Sequence, residues 1–199
     1  MKSKIAITTA ALAGASLLLG APALWAIDAN TYPNQPVSGL NAPPSETATD
    51  PTAFLQAANT INCAEVKMGE LVQEHSQSEA VRKLGRHMIR DHKALEEKVK
   101  SVALKKNIQL ATQLDPKHQN MVDQLSALSG AAFDQQYVAD MVAGHRKAIL
   151  LFRQAAGSNS DPDLREFATD TIPQLQHHLQ MAQEDSTIVN EPAGAEPKP

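Results

Sequence analysis

The sequence predicts an all-α fold, a four-helix bundle built from two helical hairpins joined by a helical crossover. Three observations predict it. Apolar residues recur at three- and four-residue spacing through residues 51–186, the period of an amphipathic helix. Ala, Leu, Gln, Glu and Lys dominate that stretch and β-branched runs are few, which favours helix. About 25 residues separate the two hairpins, more than an antiparallel turn needs and enough for a segment running along the bundle.

The chain ahead of the bundle reads as an export signal over residues 1–26. Lys2 and Lys4 form a charged start, residues 5–19 an apolar run, and Ala21-Pro22-Ala23 a small-x-small cleavage site, with Ala26 as a second choice. No second long apolar run follows, so no membrane span is expected after signal removal. A periplasmic or secreted location is expected. Residues 27–50, with Pro33, Pro36, Pro43 and Pro44, read as a flexible lead-in, and residues 187–199 as a disordered tail.

Charge narrows the partners. Loss of Lys2 and Lys4 leaves 16 Lys+Arg against 22 Asp+Glu and moves the formal charge from −4 to −6. Basic and acidic residues alternate along the helices, so there is no electrostatic footprint for nucleic acid. Cys63 is the single cysteine, which excludes an internal disulfide; a small buried residue is its simplest reading, with an intermolecular disulfide or a soft metal ligand as the alternatives.

The first long helix is expected over residues 51–75. Asp50 caps it, Pro51 fits its first position, and Phe54, Ala58, Ile61, Glu65, Met68 and Val72 form its stripe. The second runs over about 78–107, with the stripe Val81, Leu84, Met88, His92, Leu95, Val99 and Val102. Asp115-Pro116 starts a shorter helix that ends near Gly130. The third long helix is expected over 131–156, with Val138, Met141, His145, Ala148 and Phe152 inward. Gly157 opens a turn, and Asp161-Pro162 caps the fourth, which reaches about residue 185. Its stripe is Leu164, Ala168, Thr171, Leu175, His178 and Ala182, and Pro173 inside it is expected to kink it.

Each apolar stripe carries one strong metal ligand near its middle: Glu65, His92, His145 and His178. Glu65 stands about 12 residues before the first hairpin turn and His92 about 15 after it, roughly 18 and 22 Å along the axis. His145 and His178 stand in much the same relation to the second turn. Side chains lean toward their own helix N-terminus, which narrows the gap between Glu65 and His92. The four are therefore expected at one depth, mid-bundle. The phrase Met-x-x-x-His occurs twice, as Met88…His92 and Met141…His145, with each pair on one helix face.

The core resembles the exported bacterial family named domain of unknown function 4142, which is grouped with ferritin-like helical bundles. Phe54-Leu55-Gln56-Ala57-Ala58, Ala64-Glu65-Val66, Val81-Arg82 with Asp91-His92-Lys93, Leu128 to Asp134, His145, and Gln174-Leu175-Gln176-His177-His178 carry the resemblance over residues 51–185. It implies a ferritin-like fold and export, and supplies no activity. Ferritin-like di-iron proteins use Glu on two helices and Glu-x-x-His on the other two. Here Ile89 and Leu175 stand three residues before His92 and His178, and His145 stands where a Glu is expected. A standard di-iron centre is excluded.

Two readings of the four residues stand. In the first, Glu65, His92, His145 and His178 bind a single transition metal ion, for which three His and one Glu suit Zn, Cu, Ni or Fe. Met88, Met141 and Met181 offer a softer variant for Cu(I). In the second, they form a metal-free buried polar network in a structural or interaction module. Asp91 points about 100° from His92, as an outer partner or a solvated charge. His75, His87 and His118 are expected at the surface, with His87 able to pair with Asp91. His177 could replace His178 if the helix turns at Pro173. No Ser-His-Asp order, phosphate loop or activated thiol supports an enzyme.

Overall fold

The computed structural model describes residues 44–190. The expected export signal, the lead-in as far as residue 43, and residues 191–199 of the expected tail lie outside the described residues. Among the described residues all regular structure is helical. The elements are α1 (Glu46–Thr49), α2 (Pro51–His75), α3 (Glu79–Lys105), α4 (Pro116–Ser126), α5 (Gly130–Ser158) and α6 (Pro162–Val189). None is long and apolar enough to cross a membrane.

Short polar residues start most of these helices, because a helix leaves its first amides without partners. Asp50 Oδ1 accepts from the Ala53 amide at 2.7 Å, and Asp115 Oδ1 from the amides of Lys117 and His118 at 2.9 and 3.0 Å. Asp161 Oδ1 accepts from the amides of Asp163 and Leu164 at 2.9 and 3.3 Å. Pro51, Pro116 and Pro162 follow these caps, where a missing N–H costs nothing.

α2 pairs chiefly with α3, and α5 with α6, so the two hairpins are the units of the bundle. Gly85 lets α3 approach α2 closely, since a Cβ there would stand 2.9 Å from Val72. The crossover is pinned as it leaves α3. Asn59 Nδ2 donates to the Ala111 carbonyl at 2.9 Å, and the Ala111 amide donates to Gln56 Oε1 at 3.0 Å. α4 then packs against α2 and α5.

Several element ends differ from expectation. α1 lies inside the expected lead-in: Asn159 Nδ2 donates to the Ala48 carbonyl at 2.8 Å and the Ser160 amide to Thr49 at 3.1 Å. Buried Ala48 completes that docking. α5 continues through Gly157 to Ser158, and α6 continues to Val189, which packs against the core as the expected tail begins. α6 also continues through Pro173. Both Pro173 and Thr169, whose carbonyl loses its helical donor, are exposed, so water can serve that carbonyl.

The core divides into two apolar clusters at opposite ends of the bundle. One gathers Phe54, Ala58, Leu95, Val99, Ala148, Phe152, Leu164 and Leu175. The other gathers Met68, Val72, Leu84, Met88, Tyr137, Met141 and Ala182. Burying a Leu, Met or Phe contributes about 1.5–3 kcal/mol. His92, His145 and His178 fall between the clusters on their helices, Glu65 directly follows Ala64 of the second cluster on α2, and all four are buried. A polar layer there forgoes that gain and must satisfy its own donors and acceptors.

Candidate metal centre

Glu65 (α2), His92 (α3), His145 (α5) and His178 (α6) meet in this layer, with exposures of 3, 1, 0 and 0%. His92, His145 and His178 each offer one ring nitrogen, and these lie within 4.8 Å of one another. Glu65 borders that set without joining it. Its Oε2 lies 2.9 Å from His92 Nε2 and its Oε1 3.5 Å from His145 Nδ1.

Hydrogen-bond partners fix what the rings present. His145 Nδ1 lies 2.9 Å from the Met141 carbonyl, which can only accept, so Nδ1 carries the proton and Nε2 the lone pair. His178 Nε2 lies 3.1 Å from Asp91 Oδ2, a carboxylate that likewise accepts. His178 Nδ1 is then also a lone pair, and it faces His145 Nε2 at 3.3 Å. Two lone pairs that face each other repel, and a metal ion or a proton between them would relieve that repulsion. His92 Nδ1 lies 2.6 Å from buried Asn62 Oδ1, which orients its ring.

Three polar atoms in and beside the layer are orphaned, Asn62 Nδ2 among them. Glu65 Oε2 and His92 Nε2 are buried and close, yet neither has a directed hydrogen-bond partner. Burial pushes the Glu65 carboxyl up, but His145 and His92 outweigh it and hold the pKa down at about 2. Burial lowers His145 against the pull of Glu65. Burial and His92 bring His178 down to about 4. The layer therefore holds an ionised carboxylate beside two imidazoles biased to neutrality. The orphaned atoms of Glu65 and His92, the facing lone pairs and this charge suit a dication bound by N and O donors.

Among the outer residues the degree of burial differs from expectation, while His87 pairs with Asp91 as expected. His75 is half-buried, with Nδ1 2.7 Å from the Leu128 carbonyl and its ring stacked on Phe133. His118 is half-buried against Asp115, and half-buried His87 lies 3.1 Å from Asp91. Cys63 is half-buried rather than buried, because Asn62 takes the inward place beside it; burial raises its thiol pKa. His178 occupies the layer, while His177 is exposed, its ring 5.9 Å from that of His87. Met88 and Met141 belong to the flanking apolar cluster, and Met181 lies at its edge. Asn62 was not among the expected site residues, although it stands three residues before Glu65 on the same face.

The family model named Domain of unknown function (DUF4142) matches residues 36–184. The chain belongs to this family. No curated protein matches the sequence. Among solved structures, one described as "CopM in the Cu(II)-bound form" is similar, with a TM-score of 0.59 and 16% sequence identity. The likeness covers 70% of this chain and 97% of that one. At that identity it is a likeness of fold, and it shows that this DUF4142 member shares its helical frame with a protein caught holding copper.

Proposed function

We propose that the protein is an exported metal-binding bundle that holds one transition metal ion among Glu65, His92, His145 and His178 and acts in metal or stress handling. The separation between His145 Nε2 and His178 Nδ1, 3.3 Å, carries this reading. Bonds of about 2.0–2.1 Å from both nitrogens to one ion would subtend roughly 105–110°, close to the tetrahedral angle. His92 supplies the third imidazole after a small closing movement. Glu65 completes the set and balances charge, its Oε2 exchanging the 2.9 Å approach to His92 Nε2 for the metal. Zn and Cu fit best among Zn, Cu, Ni and Fe, and the Cu(II)-bound state of the similar structure supports copper. The charged, apolar and small-residue order of residues 1–26 supports export.

A second reading draws on the contact of Glu65 with His92 at 2.9 Å. A proton on His92 would make this a buried ion pair within a metal-free network, as suits a structural or interaction module. Reconstitution of tag-free protein with Zn, Cu, Ni or Fe separates the two. Metal that is retained by the parent and lost in His92→Ala and His145→Ala supports the metal reading. Metal that stays substoichiometric, or is held equally by both variants, contradicts it.

A further inference from the structure

His178 has a second face. Its Nε2 points away from the buried layer and lies 3.1 Å from Asp91 Oδ2. The same oxygen lies 3.1 Å from His87 Nε2. One carboxylate oxygen is thus shared by imidazoles from two helices, α3 and α6. His87, Asp91 and His178 each offer a donor atom within 4.8 Å of the others. His87 and Asp91 are half-exposed, with side-chain exposures of 25 and 20%, so this group opens to solvent where the inner one does not.

The surroundings hold Asp91 in position. Arg90 Nε donates to Asp91 Oδ1 at 2.7 Å, which leaves Oδ2 turned toward the two histidines. Arg90 Nη2 also lies 3.1 and 3.0 Å from the ring nitrogens of His87. That guanidinium opposes a cation, but at 64% exposure its Nη2 can turn toward solvent while Nε keeps its bond to Asp91 Oδ1. His177 stands at the rim as a further imidazole, its ring 5.9 Å from that of His87.

We propose that His87 Nε2, Asp91 Oδ2 and His178 Nε2 form a second, solvent-facing site for a first-row transition dication, joined to the buried site through the His178 ring. The outer donors are two nitrogens and one carboxylate oxygen, a borderline set that suits Cu(II), Zn(II) or Ni(II) and leaves a position open to water. When both ions are bound, the Nε2–H bond of His178 is replaced by an Nε2–metal bond and the proton passes to solvent. Asp91 then exchanges its hydrogen bond for a metal bond. The outer site lies where an ion from solution first meets the bundle, with His178 as the only ligand shared with the layer beneath. The sharing rests on the metal reading of that layer; the outer donor set does not.

Equilibrium dialysis of the full tag-free chain against Cu(II) tests the assignment, with circular dichroism to verify folding. The parent is expected to hold two equivalents. His87→Ala and Asp91→Asn, both at half-exposed positions, are expected to fold and hold one, the outer ion weakened by about ten- to a hundredfold or more. His92→Gln is expected to keep the outer ion and lose the buried one. A second equivalent that survives both His87→Ala and Asp91→Asn overturns the outer site. So does a single equivalent that neither variant changes, while leaving the buried centre intact. A single equivalent lost in His87→Ala but kept in His92→Gln supports the outer site and contradicts the buried one. No bound copper in the parent contradicts both.

Discussion

A Cβ at Gly144 would stand 3.2 Å from Glu65 Oε1. The glycine on α5 thus leaves the room that the α2 carboxylate occupies, one residue before His145. Alanine is ordinarily preferred inside a helix by about 0.5–1 kcal/mol. Gly144→Ala should forfeit that gain, because the added methyl crowds Glu65. The expected outcome is a metal-free melting temperature near that of the parent, with metal affinity lower by about tenfold. A variant that melts higher and binds metal as well as the parent would show that Glu65 has slack.

Asn62 predicts a larger effect. Its Oδ1 sits 2.6 Å from His92 Nδ1 inside the core. In Asn62→Ala the His92 nitrogen loses its partner, at a cost of about 1–3 kcal/mol. Metal affinity should fall by about ten- to a hundredfold, because the ring is no longer oriented. Urea unfolding and a competitive metal titration read the two effects separately.

Glu65→Gln keeps the shape of the side chain and removes its charge. The metal-free protein should remain folded. Added metal at about a hundredfold over Kd should stabilise the parent by about 2.7 kcal/mol and the variant by clearly less. Equal stabilisation of both would remove Glu65 from the site.

Acid should destabilise the metal-free layer. The pKa of His178 falls from 6.5 to about 4 in the fold. The unfolded chain therefore takes up the proton first, and stability is lost as pH drops from about 6.5 to about 4, by up to about 3 kcal/mol. His145, also lowered, adds to the loss. Asp140 opposes it: burial raises its pKa from 3.8 to about 6, so its contribution is present at low pH and lost as pH rises through that value. Asp140→Asn should therefore steepen the acid loss. A urea midpoint that stays flat between pH 7 and 4 in Asp140→Asn would contradict the assignment of neutral histidines.

Much of the fold was legible because helix period writes itself into sequence. Residues such as Phe54, Met88 and Leu164 fall inward every three or four positions, and Asp50, Asp115 and Asp161 cap before proline. The depth of Glu65, His92, His145 and His178 followed from rise per residue and the lean of side chains toward the helix N-terminus. What escaped depends on contacts between helices. Asp91 is turned away from His92 on its own helix, so nothing local reveals that it meets His178 on α6. Gly144 matters only through Glu65, 79 positions earlier in the chain. Asn62 did carry a local signal, its place three residues before Glu65, but an amide among apolar residues resembles an ordinary cap or turn residue. Residues 46–49 lack an apolar stripe, and their order comes from Asn159.

The proposed metal-bound state places an ion between His145 and His178. X-ray absorption at the metal edge, on the His87→Ala protein loaded with Zn(II) or Cu(II), measures this most directly. One equivalent of metal is expected, with a shell of N and O donors at about 2.0–2.2 Å and the outer-ring scattering of three imidazoles. A spectrum without histidine scattering, or metal that never rises above a small fraction of an equivalent, would contradict it.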